Sequence, residues 1–286
     1  MGEIRITMPM GIGDCYWVLQ KMAAFHEYVG KQHRLIACIA HGDNHKTAPF
    51  LRATGFFHSV IEDKRALRGV PEFHRDPKWS TVEGSAGWRG YDFCLQANGH
   101  LESGKRIETW LPELATEYVV RCELPELGPD LKEPRVLLYP SGRGPNSGFN
   151  TGWGPAQWQA ILTILNAHNI RPTFVGAATN DDVSYWQDLQ LVGSFESLVG
   201  QTTLEQYLAL IHNCRAWFGL NSGGGIVAGA WRKKTFMLWS DSRFDGKLCP
   251  EMATSWMPLD QDWYQWFPYG EPGMEDRALR ALLEAL

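Results

Sequence analysis

Residues 216–230 read AWFGLNSGGGIVAGA, and this stretch sets the fold class. A five-residue apolar run ends at Asn221-Ser222, passes three glycines and continues in small apolar residues, which predicts a buried strand, a tight turn and a short helix over 222–231. The alternation extends in both directions. Upstream lie strand RVLLY at 135–139, a helix at 155–168, strand TFVG at 173–176 and helices at 181–189 and 204–213; downstream lies strand TFMLW at 235–239. Strands that are apolar throughout and alternate with helices predict an α/β, doubly wound parallel sheet covered on both faces. Ligands of such a sheet bind beyond the carboxyl ends of its strands.

The opening of the chain repeats the pattern. Ile4, Ile6 and Met8 alternate as in a strand, a Pro-Met-Gly-Ile-Gly turn follows, and Val18, Met22, Phe25 and Val29 then mark one helical face. Further strands are expected at 34–40 (RLIACIA) and 91–95 (YDFCL), and helices near 47–54 and at 107–120. Residues 63–90 are rich in Arg, Trp, Pro and Gly without a period and read as a long irregular loop. LPELGPDLKEP at 124–134 breaks the periodicity and reads as a linker. The sequence therefore divides into a first Rossmann-like domain, 1–128, a second, 129–265, and a carboxy-terminal helix within 266–286. That helix, at 274–286, carries Leu279, Leu282, Leu283 and Leu286 on one face and is expected to pack back across the domains. Two such halves are expected to face each other across a cleft.

Composition narrows the function classes. The net charge of −5 argues against a general nucleic-acid binder. The cysteines, Cys15, Cys38, Cys94, Cys122, Cys214 and Cys249, form no CxxC pair, so neither a zinc site nor a disulfide framework is indicated and reduced thiols are expected. No apolar run is long enough for a membrane span and the first residues lack a signal-peptide pattern, so the expected location is cytoplasmic. Thirteen tryptophans supply ring faces for sugars or bases, or simply fill core space.

Three strand-to-helix turns are the candidate sites. Gly11-Ile12-Gly13-Asp14 follows the first strand; its glycines permit close backbone approach, and an ionised Asp14 can take a proton from an acceptor hydroxyl. The plain alternative is an acidic residue favoured by the first turn of a helix. Ser141-Gly142-Arg143, after Tyr139-Pro140, offers a hydroxyl, a free backbone and a guanidinium suited to phosphate; the alternative is an ordinary surface loop. Asn221-Ser222-Gly223-Gly224-Gly225 offers backbone amides at a helix start to an anion, or only lets the helix lie close to the sheet. The turn is neither GxGxxG nor a Walker loop, which disfavours dehydrogenases and P-loop NTPases. His41-Gly42-Asp43-Asn44-His45 lacks a further ligand pattern, and no metal is expected. GxSxG is absent, so no Ser-His-Asp hydrolase can be argued.

These residues, in this order, resemble glycosyltransferase family 9, the ADP-heptose:lipopolysaccharide heptosyltransferases of GT-B fold. The resemblance rests on Gly11–Asp14, on VGAATNDD at 175–182, on Ser197-Leu198-Val199-Gly200-Gln201-Thr202-Thr203-Leu204 and on Leu220-Asn221-Ser222-Gly223. It implies inverting, metal-independent transfer of a sugar from a nucleotide diphosphate sugar to a hydroxyl on a glycan, a lipid-linked saccharide or another small acceptor, without a cofactor. The first domain would take the acceptor and the second the donor, with Asp14 as general base. Gly11, Gly13, Ser141, Gly142, Arg143 and Asn221–Gly225 (Asn221, Ser222, Gly223, Gly224, Gly225) would serve the phosphates, and Gly176, Leu198, Gly200, Gln201 and Thr202 the nucleoside. Two motifs depart from the family. Thr151-Gly152-Trp153-Gly154 lacks its phosphate-binding lysine, for which Arg143 can substitute, and Asn221–Ile226 lacks its Asp and His. Three other readings stand beside this one: a phage-type glycosyltransferase acting on DNA, with Arg65, Arg68, Arg75, Lys78, Trp79, Trp88 and Arg89 lining a groove, a non-catalytic nucleotide-sugar-binding protein, and a GT-B sugar-nucleotide epimerase, disfavoured because no carboxylate and histidine set for it stands in the sequence.

Overall fold

The structure, a computed structural model, describes residues 2–8, 11–20, 22–39, 47–62, 81–83, 88–92, 122–140, 153–178, 180–239, 243–244, 247–248, 262–268 and 271–286. The chain forms two compact units, Met1–Glu123 and Leu124–Leu286.

The first unit runs β1 (Glu3–Thr7), α1 (Ile12–Leu19), α2 (Met22–Val29), β2 (Arg34–Cys38), α3 (Thr47–Ala53), β3 (Ser59–Ile61), β4 (Thr81–Glu83) and β5 (Trp88–Asp92). Its strands lie in the order β3-β2-β1-β5-β4, parallel except for β4 against β5. Ile4, Ile6 and Met8 are buried on one side of the β1 region, and Leu35 to Cys38 of β2 are buried on both, as a central parallel strand requires. The stripe Val18, Met22, Phe25 spans two helices, parted near residue 20, rather than one. Part of the expected irregular segment is regular: β4 and the first residues of β5 fall inside 63–90, and β5 begins at Trp88 instead of 91. The helix expected at 107–120 lies outside the described residues.

The second unit runs β6 (Val136–Tyr139), α4 (Pro155–Ala167), β7 (Thr173–Phe174), α5 (Asn180–Leu189), β8 (Glu196–Ser197), α6 (Leu204–Asn213), β9 (Ala216–Leu220), α7 (Gly223–Ala230), β10 (Lys234–Trp239), the two-stranded β11 (Arg243–Phe244) and β12 (Lys247–Leu248), β13 (Tyr264–Pro268) and α8 (Met274–Glu284). The large sheet is parallel throughout, in the order β13-β10-β9-β6-β7-β8. Consecutive strands step outward from β6 to β8, then jump to β9 on the other side of β6 and step outward again. That reversal between β6 and β9 is the topological switch point of a Rossmann-type sheet.

The linker holds no regular structure beyond a single 3-10 turn, Pro129–Leu131. It is fastened to the second unit where Asn213 Nδ2 donates to the Lys132 carbonyl at 2.6 Å and the Arg135 guanidinium to that of Asp130. Arg135 also pairs with Glu196, across the amino ends of β6 and β8, with Thr173 Oγ1 between them.

One face of this sheet is an aromatic core. Trp158 of α4 meets Phe218 at 90° and 6.2 Å, Trp153 packs edge-on against Trp158 at 5.2 Å, and Trp186 and Phe195 close around Phe174. These tryptophans fill core space. Met274, Ala278 and Leu282 of α8 join the same core, packing against β13 and β10 of their own unit. Residues 264–268 form an edge strand ahead of the carboxy-terminal helix, which begins at Met274 as expected.

Gly219 of β9 sets the spacing at the switch point. It lies opposite Tyr139, and a Cβ at 219 would stand 2.8 Å from Tyr139 Cβ and closer still to its carbonyl oxygen. Gly219→Ala must part the two central strands and is expected to cost about 1–3 kcal/mol in urea unfolding. Gly128→Ala, with φ −59° and open space around it, is expected within about 1 kcal/mol of wild type, on the stabilising side.

Cys15, Cys38, Cys122 and Cys214 are free thiols. Burial pushes Cys38 up to about 11 and Cys122 and Cys214 to about 12. Since the thiolate is the reactive form, in a Cys94→Ser, Cys249→Ser chain a disulfide-exchange reagent at pH 8 should leave Cys38 and Cys214 unmodified until urea unfolds the protein. Rapid labelling of either in the native state would contradict the burial described.

Candidate functional site

In a parallel sheet buried on both faces the strands' side chains are committed to packing, so the chemistry lies at the carboxyl ends and most of all at the switch point. In the second unit the β9 end carries the anion-binding candidate. Asn221 N–H donates to the Leu238 carbonyl at 2.9 Å, which pins the turn to β10. Ser222 is extended, and its Oγ accepts from Gly225 N–H at 3.4 Å as the N-cap of α7. The N–H groups of Gly223 and Gly224 then have no acceptor within the helix, and the positive end of its dipole adds to them.

The three glycines do different work. A Cβ on Gly224 would stand 2.9 Å from Tyr207 Cζ and nearer its hydroxyl, and one on Gly225 would stand 2.8 Å from both Trp217 Cη2 and Met237 Sδ. Both residues are buried, so a side chain at either must displace these neighbours. Asn221, Ser222 and Gly223 are half-buried and form the open lip of the turn.

Gly176, Leu198, Gly200, Gln201 and Thr202 gather at the carboxyl ends of β7 and β8. Leu198 N–H donates to the Phe174 carbonyl at 2.8 Å and Gly200 N–H to that of Gly176 at 3.2 Å. Gly200 has φ +71°, a left-handed turn that favours glycine. Gln201 turns its amide back to the Ser197 carbonyl at 3.0 Å. Thr203 and Gln206 then form a reciprocal capping box that starts α6. The result is a backbone ledge, braced by its own hydrogen bonds, three strand spacings from the β9 turn, or about 14 Å along the sheet edge.

Between ledge and turn the β6 end leads to Ser141, Gly142 and Arg143, which lie outside the described residues, as does His41–His45. The far end of that loop is fixed by Trp153, which is buried and whose carbonyl accepts from Tyr185 Oη at 2.5 Å. In the first unit Gly11 is the N-cap of α1 in an extended conformation, with Cys15 N–H on its carbonyl at 2.9 Å. Gly13 and Asp14 are the second and third residues of α1, which places Asp14 in the first helical turn; its side chain lies outside the described set. Among the described residues no three His, Cys, Asp or Glu side chains cluster to hold a metal, and no helix is long and apolar enough to cross a membrane.

Compared with solved structures, 99% of the chain is covered by the E. coli ADP-heptose LPS heptosyltransferase II, at TM-score 0.59 and 13% identity over 98% of that protein. A glycosyl transferase family 9 structure from Veillonella parvula matches at TM-score 0.66 and 10% identity, covering 99% of this chain and 97% of that one. S. aureus MnaA bound to UDP matches at 0.52 and 9%, covering 99% and 88%. The fold is GT-B. No family model and no curated protein sequence matches the chain, so the GT-B likeness is one of architecture.

On this GT-B scaffold the residues that sequence reasoning missed are Gly219, Tyr207 and Trp217, which shape the site from beneath. A glycine inside the apolar run AWFGL was the available signal, because a strand glycine marks close backbone approach. Ser222→Ala should lower stability by about 0.5–1 kcal/mol through loss of the cap, less than a short N-cap bond would cost. Thr203→Ala, which removes half of a capping box, should cost about 1 kcal/mol. Urea midpoints of the two single variants check the order.

Proposed function

We propose that the chain is a glycosyltransferase that moves a sugar from a nucleoside diphosphate donor to an acceptor hydroxyl, by an inverting and metal-independent route. The observation that carries this reading is the pairing, on one sheet edge, of the open helix start at Asn221–Gly223 with the backbone ledge at 198–202. Their spacing suits the diphosphate and nucleoside ends of one ligand. The GT-B architecture shared with heptosyltransferase and family 9 structures supports it.

In the proposed reaction the acceptor oxygen attacks the anomeric carbon from the face opposite the nucleotide, and Asp14 takes the hydroxyl proton. The bond from the anomeric carbon to the phosphate oxygen breaks, its electron pair leaving with the nucleoside diphosphate. The N–H groups at the α7 start and the Ser222 hydroxyl, donors held in place by the turn, receive that charge together with Arg143. A glycan, a lipid-linked saccharide or another small hydroxyl compound is the acceptor class. A second reading has one specific support, the match to a putative UDP-N-acetylglucosamine 2-epimerase from Listeria monocytogenes at TM-score 0.50 and 9% identity. That reading predicts an isomerised nucleotide sugar in the absence of any acceptor.

A thermal-shift screen of nucleoside diphosphates and their sugars is the first test: a true donor at a hundredfold excess over its Kd stabilises the fold by about 2.7 kcal/mol, a rise of several degrees. With the donor named, Asp14→Ala should lose roughly 10²–10⁴-fold in turnover while its donor Kd stays within about twofold of wild type. Unchanged turnover would remove Asp14 from the mechanism, and no shift with any nucleotide would remove the donor site.

A further inference from the structure

The first turn of α7 is gripped from two sides, by an aromatic ring on one and by an aromatic ring and a thioether on the other. On one side Tyr207, in the first turn of α6, stands where a Gly224 side chain would be, with Cζ 2.9 Å from that Cβ position and the hydroxyl nearer. On the other side the Met237 methyl stands nearest the Cβ position of Gly225, and the outer edge of the Trp217 indole stands 2.8 Å from it. Trp217 is itself backed by Tyr139, the last residue of β6, in a stack with ring centroids 6.1 Å apart and planes 24° from parallel. The Trp217 side chain is wholly buried, and among the described residues its Nε1 has no acceptor. A phenylalanine there would avoid a buried, unpaired N–H, but it would not reach α7.

Each grip begins at another part of the candidate site. Tyr207 follows the 198–203 ledge by one turn of α6, through the Thr203 cap. The Tyr139–Trp217 stack begins where β6 gives way to the Ser141–Arg143 loop. The support that starts at the ledge and the one that starts at the end of β6 thus meet on Gly224 and Gly225.

We infer that Tyr207 and Trp217 are positioning residues for the donor diphosphate: they fix the height and tilt of the α7 start, and so the aim of the Gly223 and Gly224 N–H groups, without touching the ligand. This rests on the donor site proposed above. Such donors act only when held close to their target position, and a displacement near 1 Å is worth up to about a hundredfold. A wedge of fixed length beneath each glycine is a direct means of holding them.

Size-exchange pairs test this. Tyr207→Phe removes the hydroxyl over Gly224, and Gly224→Ala places a methyl where that hydroxyl stood. Each single variant should weaken binding of the wild-type chain's best nucleoside diphosphate by roughly tenfold, and the double variant should recover most of the loss, a coupling that independent sites do not show. Trp217→Phe and Gly225→Ala form a second, separate pair, in which recovery should be only partial because Met237 also stands against the Gly225 Cβ position. Binding is read by calorimetry and folding by the urea midpoint of each variant. A positioning role gives recovery of Kd in the double variants beyond any recovery of the midpoint, and in turnover assays a rise in donor KM together with a fall in kcat, since the same N–H groups take up the leaving charge. If the wild type binds a nucleoside diphosphate while all four single variants bind as well as it does, or the double variants lose affinity additively, the inference fails and the donor site stands. A wild type that binds no nucleoside diphosphate overturns both.

Discussion

A parallel sheet buried on both faces leaves the protein little surface on which to do chemistry. The interiors of β6, β7, β9 and β10 are committed to packing, with Trp158, Phe174 and Phe218 on one face and Trp217, Met237 and the α7 glycines on the other. What remains free is the row of backbone termini where strands hand over to helices. The constraint is sharpest between β6 and β9, where the two connections leave in opposite directions and where Gly219 lets the strands lie close enough for Tyr139 to cross over it. The turn, the ledge and the aromatic supports all follow from that junction.

The site is assembled from main chain to an unusual degree. The α7 turn contributes N–H groups, one serine hydroxyl and an asparagine, and the ledge at 198–202 is held by bonds from Leu198, Gly200 and Gln201 to neighbouring carbonyls. Backbone donors cannot be retuned by changing a side chain, so their placement must be built into the packing beneath them. That explains why two glycines of the turn face inward while only Gly223 remains at its lip.

Much of this was legible in the sequence, for identifiable reasons. Long apolar runs such as AWFGL and TFMLW, separated by helices with clear periodicity, announce central parallel strands, and both appear where expected. The turn at 221–225 stood out because three glycines after a buried strand have few other uses. The edge strands β3 and β8 did not show: they have three and two residues, too few for any period to register. Nor could one dimension separate glycines that admit a ligand from glycines that admit a neighbouring ring, since Gly224 and Gly225 differ from Gly223 only in what the tertiary fold places against them. Tyr207 and Trp217 read as ordinary helix and strand apolar residues until Gly224 and Gly225 are seen beside them.

The strand order of the second unit has a consequence for its synthesis. β6 is the innermost early strand, yet its partner β9 lies some eighty residues later in the chain. At about 5–20 residues per second, a nascent chain holds β6 with one edge open for roughly 4–16 seconds before Ala216–Leu220 emerges to cover it. During that interval Val136–Tyr139 is an apolar strand with unpaired N–H and C=O groups, the type of edge that recruits other chains. The topology that creates the ligand junction therefore also creates the moment at which the growing polypeptide is most exposed to aggregation, and the first unit, complete by Glu123, is already available as a folded neighbour when that moment comes.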